Sequence, residues 1–129
     1  MRILVDTHPW LWMTNSPERF SRHASRHLGE DHELALSAAS AWEIAIKYAL
    51  GKLPLPEDPR TFVSNLLSKT RVYPIAIQHS HALRVAQLPH HHADPFDRML
   101  IAQAQVEELP ILTADRQFKK YDVEIIWAD

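Results

Sequence analysis

The chain contains no cysteine, which excludes disulfides, thiolate metal sites and cysteine nucleophiles. Glycine is scarce, with two residues; with no low-complexity tract and no internal repeat, nothing reads as a linker, and residues 1–129 are expected to form a single domain. No apolar run approaches membrane-spanning length. Met1-Arg2 leads directly into a short strand-like run and then the charge of Asp6, so neither a signal peptide nor a membrane anchor is expected, and a cytoplasmic location fits. A basic excess is also missing: 14 Lys and Arg stand against 16 Asp and Glu, a formal charge of −2. Taken as a sum, that charge argues against a basic nucleic-acid-binding surface. What is present is ordinary for a globular domain, with 46% hydrophobic and 23% charged residues. At this length folding buries roughly two-thirds of the unfolded chain's surface, enough for a real core.

Strand-like and helical segments alternate along the chain. Arg2–Val5 reads as a strand, followed by a Thr-His-Pro turn and a short helix around Trp10, Leu11, Trp12 and Met13. Ser21–Leu28 is a weaker helix. Leu34–Leu36 is a second strand, and Ser37–Leu50 a strong helix stopped by Gly51. Asp58-Pro59 opens another helix as N-cap and first-turn proline, with Phe62, Val63, Leu66 and Leu67 as its buried stripe. Val72–Ile77 reads as a third strand weakened by Pro74, and Ser80–Leu88 as a helix. Asp94-Pro95 repeats the cap-plus-proline start for a helix running to about Glu108. Ile111–Thr113 and Glu124–Trp127 complete the strands. Such alternation predicts an α/β fold with a mainly parallel sheet and right-handed crossovers.

Within that pattern Asp6 and Asp115 fall just past the carboxyl ends of two buried strands, where ligands of parallel sheets bind. Glu43 and Asp97 lie near the starts of two helices, with Asp94 beside the latter. Each acid has a plainer reading. Ser40 and Glu43 match a capping box, Asp94 and Asp97 suit a helix N-terminus, and Asp6 and Asp115 suit Asx turns. Those readings do not explain why two strand ends and two helix starts all carry an acid. Clustered carboxylates repel, and a divalent cation held through oxygen relieves the repulsion.

Four blocks, VDTHPWLW at 5–12, SAASAWEIAIKYALGKLPLP at 37–56, HHADPFDRMLIAQA at 91–104 and ILTADRQFKKYDV at 111–123, resemble PIN-domain ribonucleases, of the kind found as the VapC toxin of type II toxin-antitoxin pairs. The resemblance spans nearly the whole chain and implies a three-layer α/β/α fold. It makes Asp6, Glu43, Asp97 and Asp115 the catalytic acids and the ligands of Mg²⁺ or Mn²⁺, with Asp6 and Asp97 holding the main metal and Asp94 as an additional candidate ligand. It also implies RNA as substrate, an antitoxin that covers the acidic groove, and self-association into a homodimer or larger oligomer. The subgroup often carries a basic residue where this chain has Ala93. Arg98, Arg116 and Lys47 are the candidate phosphate contacts; Lys52, Arg71, Lys119 and Lys120 read equally well as solvated surface cations.

Other features carry less. His90, His91 and His92 are adjacent, and three adjacent side chains rarely converge on one ion, so they are expected to form a loop before a helix; His8, just after Asp6, is the histidine expected near the site. Trp42 and Tyr48 lie in a segment apolar on most sides, which suggests contact with another chain, and Trp10 to Met13 suggest the same more weakly. Two further functional classes remain open: an Mg²⁺-dependent phosphoacceptor of the receiver type, although no second acid follows Asp6 and no lysine ends a late strand, and an inert binding module.

Overall fold

A computed structural model describes residues 1–29 and 31–129. Five strands form one sheet, β1 (Arg2–Val5), β2 (Glu33–Ser37), β3 (Tyr73–Ile75), β4 (Ile111–Thr113) and β5 (Ile125–Trp127), in the order β3-β2-β1-β4-β5. Every neighbouring pair is parallel. The chain builds outward from β1 to β2 and β3, then returns to β1's other side for β4 and β5. This reversal places the ends of β1 and β4 beside each other, with Val5 opposite Leu112, and opens the crevice that such sheets use for ligands.

Side chains alternate between the faces because successive strand residues point to opposite sides. Ile3, Val5, Leu34, Leu36 and Leu112 pack on one face with Trp10 and Trp12 of α1 (Thr7–Asn15), Ala24 of α2 (Arg22–Ser25) and Leu66 of α4 (Pro59–Thr70). Leu4, Ala35 and Ile111 pack on the other with Leu100, Ile101 and Ala104 of α6 (Pro95–Glu107). The helix α3 (Ala38–Ala49) serves both faces, Ile44 joining the first cluster and Ala39 the second. These are the three α/β/α layers expected from the sequence. Trp10 is fully buried and Trp12 is 6% exposed, so both belong to the domain's own core and not to a contact with another chain. Trp42 is 58% exposed.

Several boundaries differ from expectation, for local reasons. The Thr-His-Pro segment is the first turn of α1, not a turn before it: the Asp6 side chain caps the helix by accepting from the Thr7 N–H, and Pro9 falls where the backbone N–H would have no intrahelical partner. The cap of α3 is Ser37, whose Oγ accepts from the Ala39 N–H at 3.0 Å. Glu43 therefore sits in the second turn, and the expected Ser40–Glu43 capping box does not form. The strand β3 is a three-residue edge strand, shorter than Val72–Ile77, with Pro74 opposite Leu36; the sheet edge is where a residue without an N–H is tolerated. The helix α5 (His79–Arg84) tightens into a 3₁₀ turn at Val85–Gln87. Gly51, at φ 72°, closes α3 in the left-handed region as anticipated.

His81 of α5 is a buried polar group with defined partners. Its Nδ1 accepts from the Gln78 N–H at 3.0 Å, so its proton is on Nε2, which donates to Glu107 Oε1 at 2.9 Å. This pair ties α5 to α6. Replacing His81 by alanine leaves the Gln78 donor unsatisfied, and the expected loss is about 1–3 kcal/mol of unfolding free energy, measured as a lower urea midpoint at unchanged slope.

Candidate active site

Asp6, Glu43, Asp97 and Asp115 line one cleft of about 400 Å³ at the carboxyl ends of β1 and β4, together with Asp94, His8, Lys47 and two side chains the sequence reading did not place there, Arg19 and His92. A larger hollow of about 950 Å³ at the opposite end of the sheet is lined by Arg2, His32, Glu33 and Tyr73. Among the described residues it offers a single carboxylate, so it is the smaller cleft that has the chemistry.

Each acid is held by its own element and by neighbouring hydroxyls or amides. Asp6 is 6% exposed; Oδ1 accepts from the Thr7 N–H and Oδ2 from the Thr113 hydroxyl, both at 2.8 Å. Thr113 reaches Asp6 because β4 lies directly beside β1, and its Oγ1 accepts in turn from the Asp115 N–H at 3.0 Å. One threonine thus sets the spacing of two acids. Asp115 opens a 3₁₀ turn over Arg116–Lys120, with Oδ1 accepting from the Gln117 N–H at 2.9 Å.

Glu43 is 5% exposed. Its Oε1 accepts from the Thr7 hydroxyl at 2.8 Å, and its Oε2 from Lys47 one turn along α3 at 2.6 Å. Thr7 has one hydroxyl proton, and a carboxylate only accepts. That proton therefore goes to Glu43, leaving Ser40 to donate to Thr7 across their 2.8 Å contact. Asp94 caps α6, its Oδ1 accepting from the N–H groups of Phe96 and Asp97. Asp97 in the first turn meets His92 Nε2 at 2.7 Å, and the same nitrogen is 3.3 Å from Asp115 Oδ2.

The electrostatic cost shows on both Asp97 and Asp6. Burial, and after it the charges of Asp6, Asp94, Asp115 and Glu43, push its carboxyl up to about 8. Burial also raises Asp6, against the opposing hydrogen bonds from Thr113 and Thr7. The donor set fits a hard divalent cation: five carboxylates line the cleft, and one ligand atom each from His92, Asp97 and Asp115 lie within 4.8 Å of one another.

The family model described as the PIN domain matches residues 3–124. The chain belongs to the PIN-domain family. Two curated relatives are both from Mycobacterium tuberculosis (strain ATCC 25618 / H37Rv). Ribonuclease VapC16 is 46% identical over 50 residues, 39% of this chain and 36% of that protein; Ribonuclease VapC22 is 28% identical over 120 residues, 92% of this chain and 91% of that one. The crystal structure of VapBC2 from Rickettsia felis bound to a DNA fragment from their promoter matches with a TM-score of 0.75 and 15% identity, covering 100% of both chains. In this PIN domain Asp6 follows β1, Glu43 lies in α3, Asp97 lies in α6 and Asp115 follows β4.

The cations differ from expectation. Arg98 is 7% exposed and turned away from the cleft. Its guanidinium donates to the carbonyls of Pro89 at 2.9 Å, Val85 at 3.3 Å, and Leu88 and His92 at 3.4 Å, so its donors hold the loop before α6 in place of a phosphate. Arg116 stacks on Trp127 and pairs with Asp129, outside the cleft. Lys47 does line it. Arg19, which stacks on the Trp12 ring with its guanidinium carbon 4.0 Å from the centroid, was missed because it lies in an irregular segment with no periodic signal. His92 was missed because adjacent histidines gave no indication of which one turns inward. No helix among the described residues is long and apolar enough to cross a membrane.

The raised Asp97 carboxyl has a signed consequence. Its folded-state value, about 8, lies above the ordinary aspartate value of 3.8, so between these limits the folded state binds more protons than the unfolded one, and stability falls as pH rises. Thermal midpoints of metal-free wild type minus those of Asp97→Asn are therefore expected to decline from pH 5 to pH 8. Added divalent salt is expected to raise the wild-type midpoint most at the alkaline end. A flat difference would show a carboxylate already charged throughout the range.

Proposed function

We propose that this PIN domain is a divalent-metal-dependent endoribonuclease and the toxin half of a toxin-antitoxin pair. The observation that carries the reading is the convergence of Asp6, Glu43, Asp97 and Asp115 in one cleft. Support also comes from the ribonuclease names of VapC16 and VapC22 and the whole-chain likeness of fold to VapBC2. Mg²⁺ or Mn²⁺ suits the oxygen-rich donor set, and a cytoplasmic site of action agrees with the absence of cysteine.

When bound, the cation activates water and neutralises charge on the phosphodiester. Asp6 and Asp97 are the residues best placed to hold it: Asp6 is fixed by Thr7 and Thr113, and the burial and neighbouring acids that raise Asp97 are relieved by a counterion. Asp115 and Glu43 complete the donor set or orient the attacking water, with Asp94 fixing Asp97 through the helix cap. Lys47 and Arg19 face the same cleft and are the candidates to contact phosphate, Arg19 taking the part first expected of Arg98 and Arg116. A phosphoacceptor role fits poorly, because no second acid follows Asp6 and no lysine ends a late strand.

The antitoxin is expected to cover the cleft with a segment that brings a basic side chain to the acids. Self-association is supported by the exposed Trp42, which meets Phe96 edge-on at 5.2 Å; at that position an apolar ring remains for another chain to bury.

Cleavage of total RNA by the purified protein is expected to require Mg²⁺ or Mn²⁺ and to stop on chelation. Asp6→Asn and Asp97→Asn are each expected to lose at least about a hundredfold in rate, since loss of supporting groups around a metal already costs about 10–100-fold. Undiminished cleavage by either variant would remove the assignment. Arg19→Gln is expected to raise KM severalfold with kcat little changed, read from initial rates on a defined single-stranded RNA.

A further inference from the structure

We propose that His92 is a nitrogen ligand of the cleft's cation and tilts its preference from Mg²⁺ toward Mn²⁺. This rests on reading the cleft as a divalent-metal nuclease centre and adds to it a donor of a different chemical kind. His92 Nε2 lies 2.7 Å from Asp97 Oδ2 and 3.3 Å from Asp115 Oδ2. Ligands bonded at roughly 2.0–2.2 Å and at right angles around one ion are separated by roughly 3 Å, and the two observed spacings bracket that value. The three side chains come from the loop before α6, from α6 itself and from the segment after β4, so they approach one point from different directions.

His92 is aimed before any cation arrives. Its loop has no ladder of its own, yet the N–H groups of His91 and His92 donate to Tyr121 Oη at 3.1 and 2.8 Å. The Arg98 guanidinium holds the carbonyls of Pro89 and His92. The His92 ring meets the fully buried Phe118 edge-on at 6.4 Å. His91, by contrast, lies against the Tyr121 ring at 5.3 Å and is exposed. One histidine of three turns inward, and the buried arginine and tyrosine keep it there.

The consequence is selectivity. Mg²⁺ takes oxygen ligands and retains its waters, whereas affinity for sites containing nitrogen rises from Mn²⁺ along the first-row series. An imidazole beside two carboxylates therefore favours Mn²⁺ more than an all-carboxylate cleft would.

The test uses the full chain without RNA. Calorimetry of Mn²⁺ and Mg²⁺ binding and pulsed EPR of the Mn²⁺ complex are recorded for wild type, His92→Gln, His8→Gln and Asp97→Asn, with circular dichroism to show that each is folded. The wild-type complex is expected to show ¹⁴N coupling of an imidazole nitrogen, retained in His8→Gln and lost in His92→Gln. Mn²⁺ affinity of His92→Gln is expected to fall about tenfold or more, and Mg²⁺ affinity severalfold less. Labelling wild-type histidine with ¹⁵N, which needs no substitution, is expected to replace the ¹⁴N pattern. Absent coupling in wild type, coupling that survives in His92→Gln, or equal weakening of both cations would overturn the role of His92 while leaving the nuclease centre intact. Failure of wild type to bind either cation, or unchanged binding by Asp97→Asn, would instead overturn the metal-nuclease reading and this inference with it.

Discussion

Carboxylates gathered in a cleft with little water repel one another and lose solvation, and the rest of the site is organised around that constraint. Asp97 shows it, its carboxyl raised to about 8 by burial and by four neighbouring acids, and burial raises Asp6 as well. The parallel sheet makes the gathering possible, because its reversal at β1 puts the ends of β1 and β4 side by side, while α3 after β2 and α6 before β4 deliver the remaining acids. Hydroxyls and amides then fix the geometry without adding charge. Thr113 links Asp6 to Asp115, and Thr7 links the backbone beside Asp6 to Glu43. A charged partner at each of those positions would neutralise the cleft permanently and leave little reason for a cation to enter; neutral donors orient the acids and leave their charge available.

The compensation that does exist is partial and at the margins. Lys47 satisfies one oxygen of Glu43, and the hydrogen bond and charge of Glu43 hold the lysine's pKa above its usual value. His92 Nε2 lies 2.7 Å from Asp97 Oδ2. Crowding of this kind lowers the stability of the unliganded fold and raises its affinity for whatever relieves it, the usual relation between a strained site and its function.

The acids and the topology were legible in the sequence because both depend on regular elements. Asp6 and Asp115 follow short apolar strands, and Asp94-Pro95 marks a helix start that its cap then confirms. Errors arose where two residues could play one part. Ser37 and Ser40 both suit a helix cap, and the cap is Ser37 while Ser40 lies within α3, which puts Glu43 in a buried second turn. The edges were also shorter than their apolar composition suggested, since β3 pairs on one side only and Val72 is buried without joining the ladder. The loop before α6 was beyond reading at the level of side-chain direction, because three adjacent histidines have no periodicity to sort them.

Cations were harder to place than acids for a physical reason. An aspartate at a strand end is fixed within one or two bonds of the backbone, so its position in the element nearly determines where its charge lies. Arginine and lysine have long stems, and their heads go wherever hydrogen-bond acceptors or aromatic faces are available. Arg98 lies one residue after Asp97 in the same helix turn, yet its head turns to the carbonyls of the preceding loop. Arg116 follows Asp115 directly and turns to Trp127. Arg19, distant in sequence from every acid, reaches the cleft across Trp12. The formal charge of −2 therefore says little about the cleft. With Arg98 and Arg116 committed to the fold, the cleft keeps its negative potential.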